Sequence, residues 1–559
     1  MAQLLLQRGI GRRMPRMKSI VSALSILALG FGLLGCSSGG SGGGVTFTIT
    51  TTAAPFGVVA NAYTATLATT GGTAPLTWVL FGGLLPAGLS LNPGTGVVSG
   101  TPTAEGNSTA VFTVRDSTGK TATGSVLFAV HTRTDRVSVD SNGTAGNGAS
   151  SAPSISSDGS LVAFVSQSTN FVTGVNGSQV YVQNRQTNQI ELVSRDNSAS
   201  VVIVDGNGVS NAPTMNTDGR FVAFVSQATN LLAPGTPAVP AGQQIYVRDR
   251  QTGLTSLVSV DNNVTSNPGN GFSSAPSVSA DGRFVAFVSQ ATNLLAPGTS
   301  AVPAGQQIYV RDRQTGLTSL VSVDNNVTSN PGNGFSSAPS VSADGRFVAF
   351  VSLATNLLAP GIPAVAGQQI YVRDRQVNQT SLASTDNNAA PNPGNGVSSA
   401  PSINGDGSVV AFDSLATNLL APGVPSVTGR QVYVRNRTAN QTSLVSADNN
   451  VVPNPGNGVS RTPSISSDGR FVAFTSLSTN LLAPGIPAVA SQQVYSRDRQ
   501  INQTNLVSQD NTSTDVAGNG VSDTPVTNSD GRFVAFFSQA SNLVAGSAAF
   551  SDIYVRALP

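Results

Sequence analysis

The chain has 559 residues, with 29 Lys and Arg against 27 Asp and Glu, one histidine and one cysteine. Five basic residues and no acidic ones lie in residues 1–35, which leaves 24 basic against 27 acidic groups beyond them. A nearly neutral, Lys-poor chain argues against a nucleic-acid partner. A single cysteine forms no disulfide within the chain, and His131 alone supplies neither a Ser-His-Asp triad nor a His-rich metal cluster.

Arg12, Arg13, Arg16 and Lys18 precede an apolar run at 20–34, too short for an ordinary membrane span and ending in small residues. It reads as a secretory signal. Leu33-Leu34-Gly35-Cys36 resembles a bacterial lipobox, and Cys36 is the only cysteine. The resemblance implies a lipoprotein signal peptide over 1–35 and a lipidated Cys36 that holds the protein on a membrane, since each buried methylene contributes about 0.8 kcal/mol. Ser37, in place of Asp, resembles outer-membrane sorting, which implies an exported protein anchored in the bacterial envelope. Met1, Met14 and Met17 are all possible starts. Residues 36–44, only Ser and Gly after Cys36, form a flexible tether.

Residues 45–131 carry strand-like runs at 47–51, 63–67, 76–80, 96–99, 110–115 and 124–130, a spacing that suits a small β-sandwich with Trp78 as its core anchor. The stretches Gly71-Gly-Thr-Ala-Pro-Leu-Thr-Trp78 and Leu85-Pro-Ala-Gly-Leu-Ser-Leu, ending Ser-Gly-Thr-Pro102, resemble the Ig (cadherin-like) domain of bacterial surface proteins. The acidic calcium motifs of cadherins are absent, so calcium is not carried over. The domain is expected to act as a spacer.

From residue 132 one segment recurs seven times, with Asp-Gly pairs beginning at Asp158, Asp218, Asp281, Asp344, Asp406, Asp468 and Asp530, sixty to sixty-three residues apart. A fixed period marks a repeat architecture. In the third copy, runs at 275–280, 283–289, 307–311 and 318–323 are four strands bounded by Gly, Pro, Asn and Asp. Asp281-Gly282 is a tight hairpin. Phe284, Ala286 and Val288 alternate with Val285 and Phe287, so both faces of the second strand are apolar and it lies within a stack of sheets. Stacked four-stranded sheets in a circular repeat make a β-propeller. The seventh copy ends at its third strand, Asp552–Arg556, while a spare fourth strand, Arg136-Val-Ser-Val-Asp140, precedes the first copy. The expected fold is all-β: a small Ig-like sandwich, then over 132–559 a seven-bladed propeller closed by an N-terminal latch between 134–140 and 550–556. Pro276, Ser279, Asp281, Gly282, Ala286, Phe287, Ser289, Ile308, Tyr309, Val310 and Asp312 resemble the TolB-type propeller repeat. That resemblance carries no catalytic residues and implies an interaction module.

A blade usually takes about 40–45 residues. The surplus lies in the second-to-third and fourth-to-first connections, as at 291–306 and 324–337, which places two long loop sets on one face. Loops held on a rigid scaffold carry binding residues. Asn293, Leu294 and Leu295, with Asn356, Leu357 and Leu358, begin apolar Pro-rich loops that either present a patch to a partner or fold back to cap the blade. The other set runs from an Asp to a Gly-Asn-Gly, and the oxygens of Asp261, Asn270, Asp324 and Asn333 are calcium candidates, although these are also ordinary turn residues. The recurrent Arg311-Asp312-Arg313 is read as salt bridges between neighbouring blades, and the tyrosine of each third strand as packing. Asp413 and Asp515 stand off the repeat pattern, but two such residues do not make a site. The resulting expectation is a monomeric, non-enzymatic, cofactor-free scaffold whose loop face binds an envelope protein or a polysaccharide. The alternatives are a propeller enzyme acting on glycans and a purely structural surface protein.

Overall fold

The computed structural model describes residues 46–558, apart from 56, 198–203, 234–235, 237–238, 240–241, 264–266, 297–304, 326–329, 359–366, 389–391, 421–428, 451–452, 483–490, 512–515 and 547–549. The signal peptide, Cys36, the tether and Asp515 lie outside the described residues.

All regular elements among the described residues are strands. In the first part, a four-stranded sheet orders Gly57–Val58, Thr121–His131, Gly106–Arg115 and Thr77–Gly83, and a three-stranded sheet joins Tyr63–Thr66, Val97–Gly100 and Leu89–Leu91. Alternation of β-branched and aromatic residues along these strands puts Trp78, Val98, Phe112, Val114, Val126 and Phe128 into one buried core. Gly96 lets the chain pass over the indole: it has φ +69°, and a Cβ there would lie 2.7 Å from the Trp78 ring.

Seven four-stranded sheets follow. The third blade is typical, with Ser273–Val278, Phe284–Ser289, Gln307–Asp312 and Leu317–Leu320 in antiparallel order. Its second strand is buried on both faces, as the doubly apolar pattern requires. Phe287 sits opposite Tyr309, their rings stacked with centroids 5.9 Å apart, and every blade repeats this pair. Burial pushes these tyrosines up, Tyr371 to about 12. The cores lie between blades. Ala223, Val225, Ile245 and Val247 of the second blade meet Val285, Phe287 and Tyr309 of the third.

The ring closes as the displaced strand demands. Thr134–Arg136 pairs antiparallel with Asp552–Ala557, Arg136 opposite Tyr554, and the Val137 amide donates to the Ile553 carbonyl at 2.7 Å. Val162, Phe164 and Tyr181 of the first blade share a core with Phe533, Ala535, Ile553 and Val555 of the last. Around the axis the amides of Ser157, Thr217, Ala280, Ala343, Gly405 and Ser467 each donate to the carbonyl of the next blade's equivalent residue at 2.8–3.2 Å, and Asn528 Nδ2 returns to the Ser157 carbonyl at 2.8 Å.

Candidate functional site

The repeated polar residues are largely consumed in building the ring. In the fourth blade Arg346 reaches Asp374 of the same blade, with Nη2 to Oδ2 at 2.7 Å. Arg373 crosses to the third blade's last loop, where Nη1 donates to the Asp324 carbonyl at 3.2 Å and to Asn325 Oδ1 at 3.3 Å. Arg375 lies 4.7 Å over the Phe284 ring of the third blade and donates to its own Gly345 carbonyl at 2.6 Å. The Asp of the Arg-Asp-Arg motif therefore pairs within its own blade, and the flanking arginines cross to the neighbouring blade, to carbonyls and rings and in the first two blades also to carboxylates, Arg185 Nη2 to Asp135 Oδ2 at 2.7 Å and Arg250 Nε to Glu191 Oε2 at 2.8 Å. The hairpin Arg and the strand Asp lie on one blade's own edge, whereas the two flanking arginines point across the junction. Where the Asp is Asn184 or Asn436, the hairpin Arg is Ser160 or Ser408, so both partners are lost together, whereas the last blade has Ala557 in place of the Asp and its Arg532 turns to Asp530. The same pairing holds the Asp312 carboxyl well below its usual range, chiefly through Arg283.

The two long loops brace each other. Asn270 donates from Nδ2 to Thr292 Oγ1 at 3.0 Å and accepts from the Thr292 amide at 2.8 Å, while Asn293 Oδ1 accepts from the Asn270 amide at 2.9 Å. Asn333 and Asn356 do the same one blade on. Leu294 and Leu357 are buried in the blade cores, with Leu295 and Leu358 packed against them. These loop starts cap the blades rather than offering a patch, because an aliphatic pair beside the sheet edge gains more from burial than from exposure. The Asp261 carboxylate accepts four hydrogens, from the backbone and side-chain amides of Asn263 and Asn267 at 2.6–3.1 Å. Asp324 receives both amides of Asn330 at 2.9 and 3.0 Å. These carboxylates face N–H donors, the opposite of the oxygen-lined shell a calcium ion takes, and Asn270 and Asn333 face a different loop.

Among the exposed residues of the loop face, a set of apolar ones, the collar, stands at the start of the innermost strands. Phe272, Phe335, Val397, Val459 and Val521 follow the Gly-Asn-Gly turns and are exposed. Leu353, Leu415 and Leu477, exposed to 45–49%, stand beside them in the fourth to sixth blades, where the other blades have Gln167, Gln227, Gln290 and Gln539.

Beside this collar the sevenfold pattern breaks in three consecutive blades. Asp413 replaces the Val of Val165, Val225, Val288 and Val351. Arg430 stands where other blades have Ser178, Gln243, Gln306, Gln368, Gln492 or Ser551. Arg461 and Asp523 occupy the position of Ser151, Asn211, Ser274, Ser337 and Ser399. The structure gathers them at the channel mouth. The Asp413 carboxylate, with only 4% of its side chain exposed, accepts from Ser399 Oγ at 2.6 Å and from Arg430 Nη1. Its other oxygen accepts from the Thr462 amide at 3.3 Å. Arg461 Nη2 donates to Gln492 Oε1 at 2.8 Å and to Asp523 Oδ2 at 3.4 Å. The Thr462 hydroxyl meets Asp523 Oδ1 at 3.4 Å. In every innermost strand a bulge puts one residue at φ near +50°, an alanine in five blades but Thr462 and Thr524 here. A β-branched residue in that region is strained. Buried charge, strain and broken symmetry thus coincide at one place. Asp413 stood out in the sequence, but Arg430, Arg461 and Asp523 emerge only from aligning all seven copies position by position.

Solved structures of similar fold include the Pyrococcus horikoshii acylaminoacyl peptidase, 12% identical over 70% of this chain and 49% of its own, with a TM-score of 0.39. They also include the periplasmic gluconolactonase PpgL of Pseudomonas aeruginosa, 15% identical over 74% and 94% with a TM-score of 0.31, and a Mycobacterium tuberculosis puromycin-hydrolyzing peptidase, 12% identical over 86% and 64% with a TM-score of 0.37. The chain spans about half the length of the first of these. At such identity the likeness concerns the fold alone. All three are enzymes by name, and the expectation of a non-enzymatic protein is withdrawn. No curated protein matches the chain. Residues 39–131 match the family described as Putative Ig domain.

Proposed function

We propose that this protein is a lipid-anchored binding scaffold of the bacterial envelope, built on TolB-type repeats. Lipidated Cys36 holds it on the outer membrane, the Ig-like domain follows the tether as a spacer, and the loop face of the propeller receives an envelope protein or polysaccharide at the channel mouth. The observation that carries this reading is the break in sevenfold symmetry at Asp413, Arg430, Arg461 and Asp523 beside an exposed apolar collar. A discrete ligand needs an asymmetric site, and a ring of identical blades offers none. The test is site-specific photo-cross-linking in whole cells, with the probe at Leu415 on the mouth and, as control, at Gln314 on the opposite face. A discrete cross-linked product from Leu415 alone is expected. Equal products from both positions, or none from Leu415, contradict the reading.

A second reading rests on the two carboxylates that bracket Thr462, Asp413 at its amide and Asp523 at its hydroxyl. A flanking carboxylate pair is what glycoside hydrolysis requires, so the mouth would act on glycans. Turnover of a glycan that is lost in Asp523→Asn, with the fold intact, favours it. A broad glycan panel without turnover removes it.

A further inference from the structure

Two arginines stand on neighbouring strands at the junction of the fifth and sixth blades. The Ser460 amide donates to the Arg430 carbonyl at 2.9 Å, which sets Arg430 directly beside the strand that carries Arg461. Each is used on one side only. Arg430 engages Ser399 and Asp413 through Nη1, leaving Nε and Nη2 without a partner among the described residues. Arg461 engages Gln492 and Asp523 through Nη2, leaving Nε and Nη1. Neither is buried: 23% of the Arg430 side chain and 47% of the Arg461 side chain face solvent. A guanidinium presents its donors in a planar fork that matches a carboxylate. Asp413 and Gln492 fix the inner edges of the two forks, so the outer edges are oriented before any ligand arrives, which lowers the ordering cost of binding.

Next to the forks lies the aliphatic part of the collar. Leu415 and Leu477 follow the second strands of the same two blades, and their amides donate to the carbonyls of Val397 and Val459 at 2.9 Å, so the four exposed side chains sit as neighbouring pairs. Leucine replaces glutamine only in the fourth, fifth and sixth blades. The apolar and the cationic departures from the repeat therefore share one sector. A sugar polymer offers hydroxyls and calls for aromatic platforms, whereas aliphatic pairs beside an anion-recognising fork suit a polypeptide.

Resting on the binding-scaffold reading, we propose that this sector takes a peptide segment of a partner protein, with a carboxylate seated on Arg430 and Arg461 and aliphatic side chains laid on Leu415 and Leu477. The test is fluorescence anisotropy with a labelled hexapeptide of alternating leucine and serine, made with a free C-terminal carboxylate and as the C-terminal amide. The acid form is expected to bind about tenfold tighter than the amide. Arg461→Gln is expected to bring the two forms level. Arg461→Lys, which keeps the charge and loses the fork, is expected to shrink the difference. Leu415→Ser with Leu477→Ser weakens both forms severalfold, and Phe272→Ser in the third blade weakens neither. Equal affinity of the two forms, no binding of either, or an undiminished preference in Arg461→Gln overturns the proposal. Binding of polygalacturonate through Arg461 with no binding of either peptide also overturns it but leaves the scaffold reading standing. Loss of the scaffold reading is read separately, from the cross-link at Leu415.

Discussion

Gly345 shows how much the repeated Asp-Gly does beyond turning the chain. Its φ of +73° suits a tight hairpin, but a Cβ there would also lie 2.1 Å from Cδ2 of Phe284 in the preceding blade. Phe284 is flanked by its own Arg283 and by Arg375 of the next blade, each guanidinium 4.7 Å from the ring. The Asp-Gly-Arg-Phe segment is thus half of a joint whose other half lies in the neighbouring repeat. Gly345→Ala strains the backbone and forces the ring aside, so we expect a loss of roughly 2–3 kcal/mol in a denaturant titration of the whole chain. A change within 0.5 kcal/mol, on the order seen for an ordinary surface substitution, contradicts the packing role. The hairpin was legible in the sequence because Asp-Gly is a local signal. The packing partner was not, because it lies one full repeat away and nothing local marks it. The Arg-Asp pairing is intermediate: the joint loss of both partners at Ser160 with Asn184, and at Ser408 with Asn436, records it in the sequence itself.

At the scale of the strand, the latch is the element with most at stake. The other blades have a leucine at the Arg136 position of the fourth strand and a glutamine at the Asp552 position that opens the third. The last blade has Arg136 and Asp552, with Nε to Oδ2 at 3.2 Å and the carboxylate also held by Ser138 Oγ at 2.7 Å. Burial pushes the Asp552 carboxyl up, and Ser138 and Arg136 only partly offset this. A buried pair of this kind adds little net stability but makes each partner costly without the other. Arg136→Leu alone is expected to destabilise the ring by roughly 3 kcal/mol, and adding Asp552→Gln, which restores the residues that the other blades have there, to recover most of it. Additive losses in this double-mutant cycle, followed by thermal or denaturant unfolding, count against the pair as a closure device. The strand offset that predicts the latch was plain in the sequence. The long loops were harder: their length and apolar character left a patch and a cap both open, and Leu294 and Leu357 turn inward as a cap. Composition alone does not say whether an apolar loop caps its own blade or meets a partner.

In the whole molecule, what makes the ring is distinct from what the ring does. Residues present in every blade join blades, and a binding or reacting site requires departures from the repeat. The all-β class, the seven blades and their closure follow from period, strand pattern and the displaced strand. The site does not, because it is defined by differences among copies that converge only when the fifth, sixth and seventh blades are brought together around the axis. The most direct measurement returns the four departures to ordinary repeat residues in one variant: Asp413→Val, Arg430→Gln, Arg461→Ser and Asp523→Ser. Replacing the buried Asp413 charge with an apolar residue is often neutral or stabilising, and exposed ion pairs such as Arg461 with Asp523 contribute little. The account therefore predicts a thermal unfolding midpoint equal to or above that of the parent chain, together with loss of the cross-link at Leu415. A variant that unfolds markedly earlier while keeping the cross-link would show that the cluster holds the ring together and that the ligand binds elsewhere.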